Sequence, residues 1–134
     1  MQKMYSTTMT NTGGRSGEVS APDGSLHLQI VPPGTDAEGA TNPEQLFAAG
    51  YSSCFNGALN LVMLRQRIKA ESTVSATVSL YDRDKQDFII GVEIEGHIEG
   101  LSEEKTLELL KEAHEVCPYS KATRGNIEVH LKAV

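Results

Sequence analysis

The sequence predicts an α+β fold in which antiparallel sheets surround a buried central helix. Three observations carry that expectation. From Leu46 to Leu64 no residue is charged, in a chain where 22% of residues are. Segments on both sides of this stretch alternate apolar and polar residues, the two-residue period of half-buried strands. Between Ser102 and Cys117 a second apolar stripe recurs at helical spacing. At 134 residues the chain is expected to form one domain spanning 1–134, with enough length for a sizeable core.

Lys3 to Thr10 is rich in threonine and reads as a first strand. Asn11 to Gly14 reads as a turn, with Arg15 directly after it. Gly17 to Ala21 is a short strand. Pro22, Asp23 and Gly24 mark a turn, because proline pre-sets one position and glycine tolerates positive φ. From Ser25 to Val31, Leu26, Leu28 and Ile30 alternate with His27 and Gln29, completing a small meander. The Pro/Gly-rich stretch 32–41 is a loop.

The central helix has a marked beginning. Asn42 is placed to cap it, Pro43 suits the first helical position, and Gln45 follows Asn42 by three as in a capping box. Without charges down to Leu64, the helix is expected to be buried nearly all round. Gly50, Ser53 and Gly57 recur every three or four positions, so another helix is expected to pack closely there. The stretch approaches the length of a membrane span. Its Gly50, Ser52, Ser53, Asn56, Gly57 and Asn60 make it too polar for lipid, and a soluble protein is expected.

After it, Val74, Ala76, Val78 and Leu80 alternate with polar residues, Asp82 to Asp87 is a charged turn, and Phe88, Ile90, Val92 and Ile94 alternate again. That is a long hairpin with one apolar face. Ser102 caps a second helix with Glu103 and Glu104 in its first turn. Leu107, Leu110, Ala113 and Cys117 form its apolar side, and Pro118 ends it. Ile127, Val129, Leu131 and Ala133 make a last strand.

A net charge of −6 argues against nucleic acid and anionic membrane surfaces as partners. No apolar run follows the initiator, so the expected localisation is cytoplasmic. Two cysteines in that compartment read as free, catalytic or redox-active.

Cys54 sits in the middle of the central helix. Most free cysteines are small buried hydrophobes. A reactive one needs a nearby cation or helix N-terminus, and this helix offers no cation before Arg65. Cys117 lies at the C-terminal end of its helix, where the dipole disfavours a thiolate. That makes it a poor primary nucleophile and leaves a resolving role open. His27, His97, His114 and His130 read as surface histidines. His114 and Cys117 stand at i, i+3, yet no second ligand pair accompanies them. Ser52 and Ser53 lack a nucleophile elbow, and Gly13, Gly14 and Gly17 do not open a helix as a phosphate loop does. In an unbroken helix Glu44 would lie about 15 Å along the axis from Cys54. Either the helix breaks near Gly50, or the acid serves another chain.

The blocks NPEQLFAAGYSSCF around Cys54, GGRSG around Arg15 and CPYSKATRGN from Cys117 resemble the organic hydroperoxide resistance (Ohr) proteins of the OsmC-like superfamily. The likeness runs over essentially the whole chain, with the motifs in family order. It implies a thiol peroxidase that reduces organic hydroperoxides to alcohols. By the resemblance, Cys54 is the peroxidatic cysteine and Cys117 the resolving one, joined in a disulfide during turnover. Arg15 is the cation that activates Cys54, and Glu44 holds Arg15. The resemblance also implies an intertwined homodimer with sites near the subunit interface, a dithiol reductant carried on lipoylated proteins, and no bound metal, haem, flavin or other cofactor. Phe47, Tyr51 and Phe55 near the thiol could favour greasy hydroperoxides, although Phe and Tyr at helical spacing are more often core. Two alternatives remain on the same scaffold: a non-catalytic small-molecule or acyl binding module, and a thiol-dependent hydrolase. Arg15 together with two cysteines favours the peroxidase.

Overall fold

In the computed structural model, which describes residues 1–134, three short strands open the chain. They are β1 (Thr10–Thr12), β2 (Gly17–Ser20) and β3 (His27–Ile30), joined in the antiparallel order β1-β2-β3. They belong to a first compact unit, residues 1–46; the second is residues 47–134. Strand β1 starts later than the sequence predicts. Residues 1–9 form no regular element, while Asn11 and Thr12, expected in a turn, are paired with Val19 and Glu18. The reason is the partner: β2 is four residues long and is used up by Thr10↔Ser20 at that end. Threonine-rich sequence without a partner strand gains no ladder hydrogen bonds, so propensity alone does not make it a strand.

The loop after β3 returns to it. Thr41 N–H donates to the Gln29 carbonyl and Val31 N–H to the Thr41 carbonyl. This fixes the point at which helix α1 (Pro43–Arg65) begins. Asn42 Oδ1 accepts the Gln45 N–H at 2.8 Å, the expected cap. The reciprocal half of the box is absent, because the Gln45 side chain accepts from the Thr41 hydroxyl instead.

In the second unit, β4 (Ser72–Asp82) and β5 (Phe88–Ile98) pair along their full length as the predicted hairpin. Helix α2 (Glu103–Val116) follows, capped by Ser102, whose Oγ accepts the Lys105 N–H. Pro118 ends α2 as expected, but it also opens a short helix the sequence did not announce, α3 (Pro118–Thr123). Strand β6 (Val129–Ala133) then pairs with β5 in parallel, where an antiparallel strand was expected. The crossover through α2 and α3 is long enough to bring the chain back to the same end of β5, as parallel pairing requires.

The core lies where α1, α2 and β5 meet. Tyr51, Phe55 and Leu59 from α1, Leu109, Leu110 and Ala113 from α2, and Ile94 and Ile98 from β5 are fully buried. Each large apolar side chain buried there contributes about 1.5–3 kcal/mol of transfer free energy.

Helix α1 is not buried all round. Its buried residues form one stripe, Tyr51, Phe55, Ala58, Leu59, Val62 and Met63. The opposite side leaves Ser53, Gly57, Leu61 and Leu64 exposed, and a Cβ added at Gly57 would meet nothing within 4 Å. The uncharged run thus has two faces, one covered within the chain and one open. No helix is long and apolar enough to cross a membrane.

Candidate active site

Arg15 is carried on a turn built by glycine and asparagine. Gly13 and Gly14 take φ of +87° and +62°, conformations that side chains with a Cβ rarely adopt. The Asn11 side chain closes the turn. Its Nδ2 donates to the carbonyls of Gly14 at 3.0 Å and Glu18 at 3.1 Å, and its Oδ1 accepts the Gly14 N–H at 3.0 Å. Arg15 meets Glu44 in the first turn of α1 through two parallel hydrogen bonds. Nη1 donates to Oε2 at 3.0 Å and Nη2 to Oε1 at 2.6 Å.

The Arg15 hydrogen bonds hold the Glu44 carboxyl below its ordinary range, against a smaller opposing effect of burial, and Glu44 in turn raises Arg15. Because the folded value is the lower one, the pairing is present at neutral pH and is lost only as pH falls through it. With the guanidinium half exposed, the pair adds little to stability. Its worth is orientation, since a forked contact fixes a planar guanidinium. Beside Arg15 opens a cavity of about 330 Å³ with apolar walls from Val19, Ile30, Pro43 and Leu46.

Cys54 and Cys117 are both free, and their sulfurs stand 3.5 Å apart, with the Cys117 thiol directed at Cys54. Cys54 is partly exposed and Cys117 fully buried. Cys117 occupies the junction of α2 and α3. Its N–H donates to the Ala113 carbonyl, and its own carbonyl accepts the Lys121 N–H. Burial pushes the Cys54 thiol up, the backbone N–H of Tyr119 pulls it down by hydrogen bonding the sulfur, and Cys117 raises it further. Tyr119 went unnoticed in the sequence, because a main-chain donor has no residue signature.

A close approach steadies that donor. The Tyr119 ring lies on Gly50, where an added Cβ would come within 3.0 Å of its hydroxyl oxygen and 3.2 Å of its Cε2. Phe47 and Tyr51 complete the cluster, with ring centroids 6.2 and 5.8 Å from Tyr119. Tyr51 and Phe55 have no exposed surface. They are core residues, the commoner of the two readings of such aromatics, and not a substrate wall. Helix α1 passes through Gly50 unbroken.

Three histidines are exposed as expected. His114 is not: it is partly buried, its Nδ1 lies 2.7 Å from Ser120 Oγ, and burial and nearby Arg124 lower its pKa. No three His, Cys, Asp or Glu side chains are grouped to hold a metal ion. The four residues singled out in the sequence are therefore brought together as two pairs, Arg15 with Glu44 and Cys54 with Cys117.

Fold and site together define a small α+β protein with two unbonded thiols held in contact between helices. Residues 34–132 match the model of the OsmC-like protein family. Organic hydroperoxide resistance protein-like 1 of Staphylococcus saprophyticus is 50% identical over 95% of this chain and 93% of its own. Organic hydroperoxide resistance protein OhrA of Bacillus subtilis is 47% identical, over 98% of this chain and 96% of its own. Among solved structures, OhrB of Bacillus subtilis superposes with a TM-score of 0.87 at 46% identity, covering 97% of this chain and 98% of that one. An organic hydroperoxide resistance protein of Elizabethkingia anophelis gives 0.89 at 44%, covering 99% and 98%. The chain belongs to the OsmC-like family, among its organic hydroperoxide resistance proteins.

Proposed function

We propose that the protein is a thiol-dependent organic hydroperoxide reductase, with Cys54 as the attacking thiol and Cys117 as the resolving one. The observation that carries this is the 3.5 Å approach of two free sulfurs, one partly exposed and one buried. The Cys54 thiolate attacks the outer peroxide oxygen. The O–O bond breaks, the alkoxide takes a proton and leaves as the alcohol, and Cys54 becomes a sulfenic acid. Cys117 then attacks the Cys54 sulfur. The S–S bond forms, the S–O bond breaks, and the departing hydroxide takes the Cys117 proton as water. A dithiol of the lipoyl class returns both thiols by exchange. The apolar cavity beside Arg15 supports an alkyl rather than a hydrophilic peroxide. The thiol pair favours the reductase over a passive acyl binder, which needs no dithiol, and over a hydrolase, which needs no second thiol. The test is loss of both thiols on adding one equivalent of an alkyl hydroperoxide, read by mass spectrometry. Unchanged thiols would refute the reading.

Burial pushes the Cys54 thiol up, and a cation brought beside it would favour the thiolate at neutral pH. With α1 continuous, Glu44 stays about 15 Å of helix from Cys54. The Arg15–Glu44 pair is then proposed to serve the Cys54 of a second chain, the open side of α1 being the dimer contact and both units parts of one working domain. Sedimentation at micromolar concentration is expected to report twice the chain mass, and Leu61→Glu to shift it to the monomer. A stable parent monomer would overturn the dimer.

Cys117→Ser is expected to react with the first equivalent of hydroperoxide as fast as the parent. It forms no intramolecular disulfide, and its Cys54 passes on to sulfinic acid in excess peroxide. Unchanged overoxidation would count against a resolving role. Cytoplasmic localisation is part of the same proposal, since a reducing compartment keeps both thiols available.

A further inference from the structure

One polar cluster, its hydroxyls buried, joins residues one helical turn from each thiol and takes no part in the chemistry above. Tyr51 precedes Cys54 by one turn of α1, and His114 precedes Cys117 by one turn of α2. Both side chains reach the same atom, Ser120 Oγ on α3: Tyr51 Oη at 2.9 Å and His114 Nδ1 at 2.7 Å. Tyr51 Oη also meets Thr123 Oγ1 at 3.1 Å, and Thr123 Oγ1 donates to the Ser120 carbonyl at 3.2 Å. Tyr51 and Ser120 have no exposed surface and Thr123 very little, so water does not substitute among these three hydroxyls, while His114 is partly buried.

Hydrogen counting gives the chain a direction. Each hydroxyl has one hydrogen to donate. Thr123 spends its own on a carbonyl, which only accepts, so Tyr51 donates to Thr123. Ser120 therefore donates to Tyr51, and His114 donates to Ser120 from Nδ1. This assigns the Nδ1–H tautomer to the neutral imidazole, the form that its burial and Arg124 favour. Arg124 holds the other side of the same residue, with Nη2 donating to the His114 carbonyl at 2.6 Å and Nη1 lying 3.6 Å from Glu115.

We propose that Tyr51, Ser120 and His114 form a tie that positions Cys117 against Cys54. It joins the two thiol-bearing helices one turn from each sulfur, so it sets their relative rotation and rise. The three are positioning residues, since none touches a reacting atom. A thiol pair 3.5 Å apart must close to about 2.05 Å to bond, and helices held at one rotation spend little entropy in doing so. The inference rests on the dithiol reading of this pair, but not on peroxide as the oxidant.

The test is therefore an equilibrium titration of the Cys54–Cys117 pair in a glutathione redox buffer. Oxidised glutathione takes the two electrons, and mass spectrometry of alkylated protein reads the disulfide fraction. Ser120→Ala should lower the equilibrium constant for the disulfide on the order of tenfold, as expected when buried hydrogen bonds are lost. The alkylation rate of Cys54 should stay within about twofold of the parent. His114→Leu should act in the same direction. His114→Asn, whose amide nitrogen falls where Nδ1 stood, should recover most of the loss, which a general packing defect would not. If Ser120→Ala does not fold, Tyr51→Phe removes a single oxygen and carries the same expectation.

A parent-like constant in the folded Ser120 or Tyr51 variant would overturn the tie, and so would identical behaviour of the Leu and Asn variants. A pair that couples in glutathione but ignores alkyl hydroperoxide would sink the peroxidase reading and leave the tie standing.

Discussion

Cys54→Ser is expected to reduce organic hydroperoxide turnover by on the order of 10⁴-fold, to background. The hydroxyl of serine stays protonated at neutral pH, where a thiol can ionise, and oxygen lacks the reach of sulfur for the O–O bond. The substitution is nearly isosteric at a partly exposed position, so the fold should persist. The deep core of α1, at Tyr51, Phe55 and Leu59, is untouched. Consumption of an alkyl hydroperoxide in the presence of a small dithiol reads the result. Persistent turnover in the folded variant would remove Cys54 from the mechanism.

Arg15→Ala should cost about 10²–10³-fold, the usual effect of removing one positioned charge donor from a developing anion. The sign follows from the thiol. A cation near Cys54 favours the thiolate, so its removal should move the pH profile of Cys54 alkylation upward. Arg15→Lys should lose most of this benefit, because an ammonium cannot make the two parallel contacts with Glu44 while facing a thiolate. Glu44→Gln keeps the cation and loses only the charged anchor, so its loss should be smaller than that of Arg15→Ala. An unshifted alkylation profile in Arg15→Ala would send the search to Lys121, since Arg124 is already engaged by the His114 carbonyl and Glu115.

What the sequence made legible was local. Asn42 and Pro43 announced the start of α1, Ser102 that of α2, and strict alternation the β4–β5 hairpin. Each is a signal contained in a few neighbouring residues. The features it hid depend on distant partners. β1 is set by the length of β2, and β6 is parallel because of what lies between it and β5. α3 was concealed by Pro118, which serves equally well to end one helix and begin the next. The site followed the same rule. The side-chain types of Arg15, Glu44, Cys54 and Cys117 could be picked out, and the motifs supplied their grouping. The N–H of Tyr119 carried no identity to notice. His114 looked like a surface residue because its partner, Ser120, is defined only once α3 turns back on α2.

The Asn11 clamp has a consequence in time. The seat of Arg15 depends on a side chain that carries no charge and is exposed to water. Its Nδ2 faces two carbonyl oxygens. Hydrolysis of that amide, the slow fate of thermolabile asparagines, would leave a carboxylate facing both carbonyls with no hydrogen to offer. The turn would lose two of its three side-chain bonds without any change to Cys54, Cys117, Glu44 or Arg15 itself. An ageing preparation would then keep its mass to within one unit, its thiols and its fold, while the guanidinium drifted from its place.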